Sequence, residues 1–189
     1  MKSAMSTLPE TSRRSFLVAT TTGIAVAGTS ACQSPTANDR QLVFRSWDEA
    51  LRELDRLAAA PKLSGTAVWT WAQTLNHCAQ SIEYSLTGFP QAKPAMFQRT
   101  VGALAFQVFS WRGRMSHDLA EPIPGAPALD AGDAPATAMT RLRKAIADFR
   151  AQPEPFKPHF AYGDLNKSEY ELAHALHLAN HLSGFDTQA

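Results

Sequence analysis

The chain has 189 residues, of which 44% are hydrophobic and 19% charged, and its formal net charge is +1. That length buries a core without staples, and two cysteines, Cys32 and Cys78, build no disulfide framework. The near-neutral charge, with no basic stripe, argues against a nucleic-acid partner.

Residues 1–31 read as an address rather than as fold. Ser12-Arg13-Arg14-Ser15-Phe16-Leu17 resembles the twin-arginine export motif. The mildly apolar stretch after it, Val18 to Gly28, is diluted by Thr20, Thr21, Thr22 and Gly23. It is shorter and more polar than a membrane span of ~20 apolar residues. Thr29-Ser30-Ala31-Cys32 then leaves two fates open. A lipidated Cys32 tethers the protein to a membrane, although Thr29 stands where a lipobox carries Leu, Val or Ile. Ordinary cleavage after Ala31 releases it. Both fates place the mature protein in the periplasm or beyond, with the twin-arginine machinery as a partner. Such substrates cross the membrane folded, often with a cofactor loaded, which favours a bound metal. Loss of residues 1–31 takes away Lys2, Arg13, Arg14 and Glu10, leaving 15 basic and 16 acidic residues.

Residues 32–45 form a polar tether, and the domain proper runs from 46 to 189. Ser46-x-x-Glu49 is a capping box that opens a first helix, with Ala50, Leu51, Leu54 and Leu57 at helical spacing and Pro61 as its stop. A second helix, about 65–87, carries Val68, Trp71, Leu75, Ala79, Ile82 and Leu86, and ends at Gly88 and Pro90. The third, about 95–117, has Val101, Leu104, Ala105, Val108, Phe109 and Met115. Residues 120–136, rich in proline and glycine, form a long irregular connection. Met139, Leu142, Ile146 and Phe149 mark a fourth helix over 136–152. After Pro153, Pro155 and Pro158, the box Asn166-x-x-Glu169 opens the last helix, 167–184. No strand alternation is evident, so the expected fold is all-α, a four-helix bundle with an additional short helix.

The last helix carries the informative residues. Stepping about 100° per residue from Leu176 places His177, His181, His174 and Tyr170 on one stripe, with Leu178 and Phe185 at its flank and Leu172 and Ala179 opposite. A helix apolar nearly all round is buried, and its imidazoles then need a carboxylate, a carbonyl, water or a metal. His177-x-x-x-His181 stacks two imidazoles one turn apart, so both can address one ion. Leu178 follows His177, so the Glu of H-E-x-x-H is missing and no zincin protease is implied. A third ligand is required. In the second helix His77 lies away from the Leu75 stripe, beside Gln73, Gln80, Ser81 and Tyr84. Periodicity alone lets it face either solvent or a polar groove against the last helix.

"WTWAQTLNHCAQSI", followed by "HLANHL" some 100 residues on, resembles the DinB-like metalloenzyme superfamily. "AEPIP", "PHFAYGDL" and "HLANHLSGF" resemble an uncharacterised bacterial branch, over residues 46–185. The resemblance implies a four-helix bundle whose divalent transition metal (zinc, nickel or iron) is held by His77, His177 and His181. It also implies chemistry on an unknown small molecule, of hydrolase or thiol-transferase type, since relatives include thiol transferases and a thiol-dependent isomerase. Three neutral imidazoles leave coordination positions open for water or a thiolate.

Other residues are secondary candidates. His174 supports the ligands or is a core histidine; Glu171-x-x-His174 resembles half of a di-iron site, but no second E-x-x-H exists. His159, in the proline-rich loop, either reaches towards the bundle mouth or is an ordinary loop histidine, and Tyr170 is placed to give a proton or hydrogen bond. Tyr170, His159 and His174 are therefore the catalytic candidates. Asn76, Gln73 and Asn180 are candidates for orienting ligands or water, and Arg112 and Arg114 for meeting an acidic group. Cys78 reads as core, and His117 as a cap on the third helix's C-terminal carbonyls. The alternative function is a non-catalytic periplasmic bundle, released or anchored as a lipoprotein at Cys32, that serves a partner.

Overall fold

The computed structural model describes residues 39–188. The export signal, Cys32 and the first half of the tether lie outside those residues. The described chain is mostly helical: α1 (Trp47–Ala58), β1 (Leu63–Gly65), α2 (Trp71–Thr87), α3 (Ala95–Phe97), a π-turn (Gln98–Gly102), α4 (Ala103–Arg112), α5 (Pro135–Ala151), α6 (Lys167–Leu182) and β2 (Phe185–Thr187).

Local chemistry sets these boundaries. Ser46 Oγ accepts from the Glu49 amide, but Glu49 returns its carboxylate to the Arg45 amide rather than to Ser46, so the first box is only half closed. At α6 both bonds form, Glu169 N to Asn166 Oδ1 and Asn166 N to Glu169 Oε2, each 2.9 Å. The second helix starts later than expected, at Trp71, because Thr70 and Gln73 make a full capping box there. Pro135, the last proline of the long connection, is the first residue of α5, where its missing N–H costs nothing. The third helix ends at Arg112 instead of 117. Gly113 takes φ 67°, a left-handed conformation that closes the helix, and its N–H donates to Phe109 O.

Two departures from an all-helical reading are short. β1 pairs antiparallel with β2 in the register Leu63↔Thr187, Ser64↔Asp186, Gly65↔Phe185. Three residues per strand are too few to show alternation. This ribbon ties the segment before α2 to the end of α6, and Trp71 packs edge-on against Phe185 at 5.0 Å. The second departure is the π-turn, where the helix bulges against the 159–163 loop. Gly102 allows that approach, since a Cβ there would lie 1.9 Å from Ala161 O.

One core joins α1, α2, α5, α6 and β2. Trp47, Leu54 and Leu57 meet Leu75, Ile82, Leu142, Ile146, Phe149, Tyr170, Leu178 and Leu182. The third helix contributes less: Val101, Leu104 and Val108 remain exposed, along with Met96 and Trp111. The connection 113–134 is not a free loop. Its backbone carbonyls Leu129 O and Pro127 O accept from Gln73 and Gln80, and Asp133 accepts from Asn76. It thereby covers the polar face of α2, which continues through Asn76 to a bidentate Arg141–Glu83 pair. Among the described residues no helix is long and apolar enough to cross a membrane.

Candidate metal centre

His77 sits mid-way along α2, and His177 and His181 lie one turn apart on α6. Packing of α2 on α6 brings the three imidazoles together, with one nitrogen of each within 4.8 Å of the others. The groove reading of His77 is therefore the right one: only 2% of its surface is exposed. Nε2 of His77 and Nε2 of His177 are 3.1 Å apart. Two ligands 2.0–2.1 Å from a tetrahedral ion stand roughly 3.3 Å apart, so this spacing accommodates two ligands on one ion, and without one it is that of an N–H···N hydrogen bond.

The donor set fits such an ion. Nε2 of His181 is buried without a hydrogen-bond partner, an arrangement that costs stability unless something else satisfies it; Nδ1 of His77 is also unpartnered, but on the side of the ring away from the Nε2 that meets His177. Burial pushes His77 down to about 3, with His117 nearby adding to the effect. Burial, and then their imidazole neighbours, hold His177 and His181 well below the ordinary histidine range. All three are neutral at pH 7, as ligation requires. With no carboxylate among them, the set suits zinc, nickel, iron or copper and not magnesium or calcium.

Around this cluster lies a cavity of about 290 Å³ whose walls carry His77, His117, His159, His174 and His177. Five of the chain's six histidines thus face one space. Phe97, Phe109, Met115, Ile123 and Phe160 supply apolar wall, and Lys93 and Glu121 polar corners. Trp69, absent from the sequence reading, lies over the centre, its ring 4.7 Å from His77 and parallel to His181 at 5.8 Å.

The secondary candidates are distributed differently. His174 lies outside the cluster, in an aromatic box of Trp47, Phe149 and Tyr170. Glu171 accepts from the Trp47 amide, so no half di-iron site forms. Tyr170 donates its hydroxyl to Lys157 O at 2.6 Å, which straps the proline-rich segment to α6. His159 lies on the cavity wall; its Nδ1 accepts from the amides of Ala161 and Tyr162, so Nε2 carries the proton. Gln73 is spent on its cap, Asn76 on Arg141 and Asp133, and Arg114 on Gln41. Asn180 Nδ2 is buried without a partner, and Arg112 is exposed. Cys78 is core, 1% exposed.

His117 does not cap α4, which has ended at Gly113. It belongs to the 113–134 connection, and its ring lies 5.2 Å from that of His177 and 5.0 Å from that of His181. No helical phase attaches to a residue in irregular chain, so only its histidine chemistry could have flagged it.

Burial pushes His159 and His174 down to about 3. A histidine whose folded pKa is depressed contributes stability that is complete above the unfolded value of 6.5 and is lost as pH falls towards 3. With chelator present, unfolding by urea at pH 5.5 is therefore expected to cost less than at pH 7 by roughly 1 kcal/mol for each of these two histidines. A His174→Phe variant, which keeps the aromatic box, should show a shallower fall; an equally steep one would refute the assignment.

One family model, described as a protein of unknown function (DUF1569), matches residues 36–188. No curated protein and no solved structure matches the chain. The chain belongs to the DUF1569 family.

Proposed function

We propose that this member of the family is an exported metal-dependent enzyme of the DinB-like type. In this reading α1, α2, the 95–112 helix, α5 and α6 make a DinB-like four-helix bundle with one additional short helix, and the chain leaves the cytoplasm through the twin-arginine machinery. Residues 1–31 are its signal, and Cys32 is either a lipid anchor or the first residue of a released protein. The observation that carries the proposal is the convergence of three imidazoles beside a cavity, His77 and His181 buried and His177 half-buried, with the His181 Nε2 unpartnered.

His77, His177 and His181 would hold the ion, a divalent zinc, nickel or iron. Such an ion supplies Lewis acidity, which makes a water or a thiol a usable nucleophile at neutral pH. The chain's own side chains supply the rest. Phe97, Phe109, Met115 and Phe160 line the cavity and exclude bulk water. That lining favours a small, largely apolar substrate. Lys93 offers an ammonium for an acidic group at the cavity, and Glu121 an acceptor. His159 presents a protonated Nε2, since backbone amides occupy its other nitrogen. It can therefore donate a hydrogen bond to a substrate oxygen. These groups suit hydrolysis or thiol transfer.

Elemental analysis of protein purified without a histidine tag tests the proposal. A near-stoichiometric transition metal is expected, followed by turnover in a screen of esters, amides and thiol acceptors. Absence of metal after reconstitution with zinc, nickel and iron(II) would leave the other reading, a non-catalytic periplasmic bundle.

A further inference from the structure

We infer that His117 is a fourth protein ligand of this centre, brought to it by the connection 113–134. The inference rests on the three-histidine reading and extends it.

Three observations support it. Its ring stands 5.0 and 5.2 Å from those of His181 and His177. The three α-helical members stand 4.7 to 4.9 Å from one another. Ring to ring, His117 is therefore only a few tenths of an ångström farther from two members than they are from each other, although its nitrogens stand outside the 4.8 Å grouping of the other three, so ligation requires a small approach of the connection. Secondly, its Nδ1 lies 2.8 Å from Asp118 O. A carbonyl can only accept, so Nδ1 carries the proton and Nε2 keeps its lone pair. This is the second hydrogen bond that metal-bound histidines usually make, and it fixes the tautomer that ligates through Nε2. Thirdly, that Nε2 is buried and has no hydrogen-bond partner. A lone pair removed from water and aimed at no donor is costly. Coordination satisfies it.

The consequence is a centre of four neutral nitrogens. With a tetrahedral ion it would be closed; an ion accepting five or six ligands keeps room on the cavity side, where His77, His117 and His177 face the open space. The centre is then completed by chain that also covers α2, so ordering of the connection and occupancy by metal are linked.

The test uses the cobalt(II)-substituted full-length protein. Each ligated imidazole that keeps an N–H gives one hyperfine-shifted, solvent-exchangeable proton resonance. Four are expected for wild type and three for His117→Ala, together with cobalt affinity lowered 10- to 100-fold in competition with a chelating dye. His117→Gln, which keeps bulk at the site, should lose the same resonance. Three resonances in wild type, with affinity unchanged in both variants, would overturn the fourth ligand and leave the three-histidine centre standing. Failure of wild type to take up cobalt, zinc or nickel at all would overturn both.

Discussion

Replacing His177 with alanine is expected to lower divalent-metal affinity by a factor on the order of 10²–10³ and to abolish thermal stabilisation by added metal. The magnitude follows from structural zinc sites, whose ~10–16 kcal/mol is shared among four ligands, giving roughly 2.5–4 kcal/mol for each. The centre is buried between α2 and α6, so an ion bound there also bridges the two helices. Binding to the folded state alone at a hundredfold excess over Kd raises wild-type stability by about 2.7 kcal/mol. In chelator the variant should melt close to wild type, because His177 is only half-buried and its crowded neighbours relax when it is removed. Paired melting curves with and without zinc or nickel, and a far-ultraviolet circular dichroism spectrum of each protein, make the measurement. A wild-type midpoint indifferent to every metal, or an equal rise in the variant, would defeat the prediction.

Gly102→Ala should destabilise the fold by about 3 kcal/mol, which for a domain of this size lowers the midpoint by roughly 6–12 °C. The added Cβ meets backbone on both sides: Ala161 O at 1.9 Å, Ala161 C at 3.0 Å and Phe97 O at 3.4 Å. None of these atoms can swing aside as a side chain would. The 159–163 loop is pinned by the His159–Gly163 bridge and by Gln98 Nε2, which donates to Phe160 O. The helix must therefore be displaced from the loop, at the cavity wall where Phe97, Phe160 and Tyr162 meet. Thermal unfolding in chelator reads the effect without the metal contribution. A midpoint within 2 °C of wild type would show that the π-turn yields freely.

The sequence carries most of this architecture in its periodicities. The Leu54–Leu57, Leu75–Ile82 and Leu142–Ile146–Phe149 stripes all enter the core, and both Asn166 and Glu169 cap as their spacing requires. Thr70-x-x-Gln73 was equally legible as a cap, yet it is masked by the apolar residues ahead of it, which extend the helical pattern back towards residue 65. The His177–His181 stack follows from helical pitch alone. His77 does not: its partner face depends on how two helices pack, and only the family resemblance selected it. Trp69 and His117 lie in irregular chain, where neither a period of 3.6 nor one of 2 gives a direction. The third helix misleads for another reason. Val101, Leu104 and Val108 have the spacing of a core face, but hydrophobic spacing reports what a helix could bury, and the exposed side of this one is not covered by any of the described residues.

The separation of the ligands along the chain has a consequence for when the centre comes into being. His77 and His177 are 100 positions apart, so their meeting closes a loop spanning more than half the sequence. Loop-closure entropy of that kind is overcome only when the helices between have docked. The α6 pair alone, as an isolated peptide, would offer two imidazoles on a helix that has lost the tertiary packing most of its stability comes from. The full three-histidine set is therefore not assembled from one end of the chain. An ion held by all three histidines would need the finished tertiary structure, and its retention would report that both halves of the domain have come together.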